Sequence, residues 1–220
     1  RQRQMCIRDR LLFEIAVRTQ EQNKGNARVT AGSTSDIVYK ITYRNIASLE
    51  ETVKLVEPQV LEQAVDMICR ADSVLLFGLG ASQLVAKDAY LKFLRIDKPC
   101  SCCEDIHSQY VIARNSKPND VAIVISYSGR TEEIVRCAEY LKAQGTPIIA
   151  ITRFELSPIS RMAACCLNVM ASEELYRSGA MSSRIAQLNM IDILYTACIN
   201  RNISQNVRMF SHNRLDTERA

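Results

Sequence analysis

A chain of 220 residues, 47% hydrophobic and 24% charged, carries enough apolar material for one α/β domain with a helical appendage. A net charge of +4 is too mild to argue for nucleic acid by itself. No apolar run approaches the roughly 20 residues that span a bilayer, and residues 1–10 lack the apolar stretch of a signal peptide, so no membrane partner is expected.

In chain order, residues 1–34 read as loosely organised. Residues 1–10 fit no element, Leu11 to Val17 suit the tail of a helix, and residues 23–35 form a polar linker with Gly25 and Gly32. Ser35 or Asp36 can cap a helix whose stripe of Ile37, Ile41, Ile46, Leu49, Val53 and Val56 suits dimerisation. Pro58 interrupts it, and a second helix over 59–70 carries Val60, Leu61, Ala64, Val65 and Ile68. The pattern then changes: residues 73–77 are a short apolar run that stops at Gly78, as a buried parallel strand does. A helix over 82–95 follows, then a strand over 99–103 with a polar helix after it. The clearest strand is 120–126, with its helix over 131–144. Further strands are expected over 147–152 and 166–170, and a last long helix over 183–200.

Strand and helix in alternation imply right-handed crossovers. The fold class is therefore α/β, a doubly wound, flavodoxin-like, five-stranded parallel sheet sandwiched by helices and preceded by linker helices. The expected divisions are 1–34 as an N-terminal remnant and linker, 35–70 as linker and dimerisation helices, 71–203 as the sheet domain and 204–220 as a polar tail.

In such sheets ligands sit at the carboxyl ends of strands, near a topological switch point. Two strand ends carry matching chemistry: Gly78-Leu79-Gly80-Ala81-Ser82, and Ser126-Tyr127-Ser128-Gly129-Arg130-Thr131. Each opens into a helix, whose unpaired N–H groups and partial positive charge suit a phosphate, while glycine lets backbone approach and hydroxyls donate without adding charge. The first motif alone is also compatible with a tight strand–helix turn or a degraded dinucleotide fingerprint, in which Gln83 stands where the third glycine belongs. The alternative for the second is an N-cap with local Ser/Thr turns. Together they favour phosphate binding.

Cysteines number nine, an odd count without framework spacing, which fits reduced thiols in a cytoplasm better than disulfides. A zinc site of Cys100, Cys102, Cys103 and His107 lacks a C-x-x-C pair, and neighbouring strand residues face opposite ways. Small apolar core residues are the plainer reading, and neither metal nor cofactor is called for.

Residues 74–202 resemble a sugar isomerase (SIS) domain. The resemblance rests on the two strand-end motifs, on the helix Ala86-Lys87-Asp88-Ala89-Tyr90-Leu91-Lys92-Phe93-Leu94-Arg95-Ile96, and on residues 178–188. The last two stretches, and residues 35–61, are more similar to RpiR-type transcriptional regulators than to the isomerases. By that resemblance Ser82, Ser126, Ser128 and Thr131 hold a phosphate, helped by backbone amides at Gly80, Ala81 and Gly129. Glu133, Ser183, Arg184 and Gln187 are candidates for sugar or interface contacts, with a surface ion pair the alternative for Arg184. The resemblance also implies a homodimer or homotetramer. It implies operator DNA as a partner only through an N-terminal helix-turn-helix domain, most of which is expected to be missing from this chain.

An aldose–ketose isomerase needs a base at the sugar. Glu104, Asp105, His107, Glu132, Glu133 and His212 make no convincing acid/base pair, so an effector sensor is the preferred reading, with a sugar-phosphate isomerase as the alternative.

Overall fold

The computed structural model describes residues 34–171 and 180–201. The readings placed on residues 1–33 and on the tail with His212 lie outside it. The chain divides into two compact units, residues 1–41 and 42–220. Of the first, only the opening turns of a helix are described.

That helix, α1 (Thr34–Leu55), stops short of Pro58, which opens α2 (Pro58–Arg70) at the position where its missing N–H costs nothing. The sheet domain follows as β1 (Val74–Phe77), α3 (Ala81–Arg95), β2 (Cys100–Cys102), α4 (Ile106–Asn115), β3 (Val121–Ile125), α5 (Glu132–Ala143), β4 (Ile148–Arg153), α6 (Pro158–Met162), β5 (Cys165–Val169) and α7 (Met181–Arg201). The short helix α6 is not expected from the sequence; Ser157 and Ser160 build it locally, each capping the other's backbone.

All strand pairs are parallel and run in the order β2-β1-β3-β4-β5. The period of two along each strand divides the core. Val74, Leu76, Val121, Ile123 and Ile125 face one layer, formed by α2, α3 and α7 through residues such as Val65, Phe93 and Leu194. Leu75, Phe77, Ala122 and Val124 face the opposite layer, formed by α4, α5 and α6 through Ala113, Leu141 and Ile159. Every residue of β3 is buried on both faces, which explains its unbroken apolar run. At about 1.5–3 kcal/mol for each fully buried Ile or Val, this strand anchors the sheet. Helix α2 buries Ala64, Val65 and Ile68 in the first layer, so it is built into the same core as the sheet.

The chain winds from β1 outward to β2, then returns past β1 to β3 and continues the other way. The sheet's switch point thus lies between β1 and β3, the strands whose ends carry the two motifs.

Within residues 42–55, α1 turns a polar rather than an apolar face inward. Ser48 and Thr52 are buried, while Ile46 and Val53 stay exposed. Thr52 Oγ1 accepts from the Met170 N–H at 3.0 Å, and Asn45 Oδ1 accepts from Ser182 Oγ at 3.2 Å.

Candidate functional site

At the switch point β1 runs into α3 through Gly78 to Gly80, and β3 runs into α5 through Ser126 to Thr131. Helix α7 brings a third N-terminus, entered through Ala180, a non-glycine residue at φ 54°. A cleft of about 350 Å³ lies among them, lined by Leu79, Ala81 and Ser82, by Ser126, Tyr127, Ser128 and Thr131, by Ala180 and Ser183, and floored by Ile125 and Ile134.

None of these lining residues is charged. The attraction such a cleft offers an anion comes from helix ends and hydroxyls, at about 1.5–3 kcal/mol for each hydrogen bond to a charged group. Neither α3, with Gly80 at its N-cap, nor α5, with Thr131 there, has its first turn capped by a side chain. By contrast α4 and α6, away from the cleft, fill their own N-termini with Asp105 and Ser157.

The hydroxyls hold one another loosely. Ser126 Oγ and Thr131 Oγ1 lie 3.4 Å apart, Ser82 Oγ donates to Gln187 Oε1 at 3.3 Å, and Ser128 Oγ accepts from the Arg130 N–H at 3.2 Å. These separations are at the long end for hydrogen bonds, so a phosphate oxygen can replace them at little cost. The Arg130 guanidinium turns away from the cleft, to Glu155 and the Leu156 carbonyl.

Gly129 is required by its surroundings as well as by its φ of 61°. An added Cβ would lie 2.2 Å from Ser157 Oγ and 3.1 Å from Thr152 Oγ1. The buried Thr152 hydroxyl in turn donates to the Tyr127 carbonyl at 3.2 Å. The Tyr127 hydroxyl bonds both the N–H and the carbonyl of Ala171, beyond β5.

The expected phosphate residues Ala81, Ser82, Ser126, Ser128 and Thr131 therefore come together, and Ser183 joins them. Gly80 and Gly129 shape the two turns without lining the cleft, and the Gly129 N–H is already engaged by the Ser126 carbonyl at 3.0 Å. Gln187 stands one turn behind Ser183 and touches the cleft through Ser82, and its buried Nε2 has no partner among the described residues. Glu133 and Arg184 do not line the cleft. Leu79 and Ala180 are not expected from the sequence: an apolar residue in a tight turn and an alanine in a left-handed one carry no chemical signature.

The candidate acids and bases among the described residues lie outside the cleft. Glu104 is exposed and paired with Lys87, whose hydrogen bond and charge hold its carboxyl below the usual range. Asp105 is lowered by the hydrogen bonds it accepts from Ser108 while capping α4. Glu132, Glu133 and His107 are exposed. Among the described residues no cluster of His, Cys, Asp or Glu could hold a metal ion, and Cys100 and Cys102 are thiols pushed up in pKa by burial, Cys100 to about 11.

Parallel α/β architecture with a helix-end cleft at the switch point defines a class of small-ligand-binding domains. The chain belongs to the SIS domain family, which matches residues 67–197. It is 36% identical over 203 residues to an uncharacterized HTH-type transcriptional regulator of Caldanaerobacter subterraneus subsp. tengcongensis, covering 90% of this chain and 71% of that protein. Among solved structures it is similar to the Vibrio vulnificus NanR protein complexed with ManNAc-6P, with a TM-score of 0.76 and 22% identity over 91% of this chain and 72% of that one. It is also similar to the sugar isomerase domain of an RpiR transcription factor from Sphaerobacter thermophilus, with a TM-score of 0.72 and 21% identity over 79% and 96% of the two chains. A phosphoheptose isomerase from Francisella tularensis shares the fold as well, with a TM-score of 0.62 and 18% identity over 80% of this chain and 100% of that one. Identities at this level speak for the fold; the match at 36% places the chain beside a regulator.

Proposed function

We propose that this chain is the effector-sensing part of a DNA-binding transcriptional regulator of carbohydrate metabolism, and that a phosphorylated sugar is its effector. The phosphate sits between the two strand-end loops, against Ser82, Ser126, Ser128 and Thr131 and the first turns of α3 and α5. The observation that carries this reading is a cleft where three helix N-termini meet, two of them without side-chain caps, lined among the described residues by hydroxyls and by no charged group.

The same lining favours sensing over catalysis. Moving a proton between neighbouring carbons of a sugar requires a base within about 3 Å of it, and among the described residues the polar side chains that line the cleft are hydroxyls. The alternative, a sugar-phosphate isomerase, draws its support from the phosphoheptose isomerase that shares the fold.

A sensor also needs an output, and α1 is placed to be one. Asn45 holds Ser182, the neighbour of the cleft residue Ser183. Thr52 holds Met170, the neighbour of Ala171, to which the cleft residue Tyr127 is bonded. One anchor of α1 is thus next to a cleft residue, and the other is next to a residue hydrogen-bonded to one. Operator DNA would be engaged through a helix-turn-helix domain ahead of α1, in a homodimer or homotetramer assembled in part through exposed apolar residues of α1 such as Ile46 and Val53. A reduced, cytoplasmic setting suits the thiols.

The test is a thermal-shift screen of hexose, amino-sugar and pentose phosphates, ManNAc-6P included, followed by NMR of the best ligand incubated with the protein. Stabilisation by a phosphosugar that is recovered unchanged supports the sensor. Rapid isomer interconversion would replace it with the isomerase, and no stabilisation by any member would remove the phosphate site.

A further inference from the structure

Polar side chains are buried behind the first loop as well as around the cleft. Gln109, on α4, is fully buried, and Gln83, in the first turn of α3, is nearly so. A buried carboxamide is costly unless its donors and acceptor are matched. Here they are matched by backbone: Gln109 Nε2 donates to the Gly78 carbonyl at 2.9 Å, and its Oε1 accepts from the Gly78 N–H at 3.3 Å. The same Nε2 lies 3.3 Å from Gln83 Oε1, and Gln83 Nε2 donates to the Cys103 carbonyl at 2.9 Å. One carboxamide therefore satisfies both backbone groups of Gly78, the residue that follows β1, at the point where the parallel ladder can no longer do so.

Gly78 is also the residue against which α3 begins. A Cβ on it would fall 2.6 Å from the Ser82 carbonyl oxygen and 3.0 Å from the Gln83 nitrogen. The first turn of α3 is packed directly on the Gly78 backbone, with no side chain between them. Whatever fixes Gly78 fixes Ala81 and Ser82.

We infer that Gln109 is a positioning residue for anion binding: by gripping both backbone groups of Gly78, and Gln83 beside it, it holds the first turn of α3 at the height where Ala81 and Ser82 meet a phosphate. The inference rests on the phosphate reading of the cleft. The side chain itself reaches no ligand, because it is sealed behind the loop.

The test uses inorganic sulfate, whose charge is constant between pH 5 and pH 8, titrated into the full chain and followed by backbone amide NMR. Gln109→Leu keeps the volume and removes the grip. Its sulfate affinity should fall at least tenfold, with faster amide exchange from Gly78 to Ser82 and unchanged exchange from Ser126 to Thr131. Gln109→Glu supplies a readout that a merely structural role would not move. A protonated carboxyl can both donate to and accept from Gly78, whereas a carboxylate can only accept. The sulfate affinity of this variant relative to wild type should be near one at a pH where the introduced carboxyl is protonated and should fall as that carboxyl ionises. It also stands in if the leucine variant does not fold. Sulfate binding by wild type that is matched within twofold by both variants at every pH would overturn the inference and leave the phosphate reading intact. Failure of wild type itself to bind sulfate or any phosphosugar would remove both.

Discussion

The two loops that face each other across the cleft end parallel neighbouring strands and open into helices, yet they are held in opposite ways. The loop after β3 is held in large part by bonds among its own residues. Ser126 pairs with Thr131, the Gly129 N–H returns to the Ser126 carbonyl, and Ser128 accepts from Arg130, all within six consecutive residues. Its outside bonds come from Thr152 on the adjacent strand, from Glu155 and Leu156 just beyond it, and from Ala171 after β5. The loop after β1 is held from elsewhere: Gln109 grips Gly78 from α4, and Gln187 ties Ser82 to α7. A loop that stabilises itself should resist distant substitutions and fail to local ones. A loop held by other elements should move with them, which makes it the better candidate for passing a signal.

The largest effect should come from charging the loop after β3. Ser128→Asp places a carboxylate against the bound phosphate, and like charges in contact cost several kcal/mol. Phosphosugar affinity measured by calorimetry should fall by more than about 100-fold, with the urea midpoint nearly unchanged. Next is Gly129→Ala. A left-handed alanine costs about 1–2 kcal/mol, and overpacking against Ser157 adds about 1–3 kcal/mol, so urea unfolding should show a loss of roughly 2–5 kcal/mol. A loss below about 1 kcal/mol would mean the loop is looser than its contacts suggest.

Thr52→Val asks whether the loops communicate with α1. Removing the hydroxyl leaves the Met170 N–H without its side-chain acceptor, which should cost about 1–3 kcal/mol of stability. Hydrogen exchange in α1 should then no longer respond to ligand, although the ligand still binds. Ser182→Ala, at the other anchor, should cost only about 0.5–1.5 kcal/mol. It should weaken the response of α1 without abolishing it. An unaltered response in both variants would separate α1 from the cleft.

The same contrast explains what could be read in advance. The strands were legible because β1, β3 and β4 are buried on both faces and read as apolar runs. The loop after β3 was legible because its hydroxyls and glycine are consecutive. Gln109 was not, because a glutamine in a polar helix has the same signature whether it faces solvent or a strand end; only the crossover that lays α4 beside β1 decides. The inward face of α1 is hard to read from sequence for a related reason. Its apolar stripe is the stronger signal, but the face it buries is Ser48 and Thr52, whose hydroxyls find backbone partners. The helix α6 is too short for periodicity to register and rests on two serines.

One amide NMR titration tests the phosphate seat most directly, run with the best-stabilising phosphosugar and, separately, with the same sugar lacking its phosphate. We expect the phosphorylated form to shift residues 80–82, 126–131 and 183 together, with a single affinity, and the unphosphorylated form to leave them in place. Equal responses to both forms, or shifts that avoid both strand-end loops, would contradict a phosphate seat at the switch point.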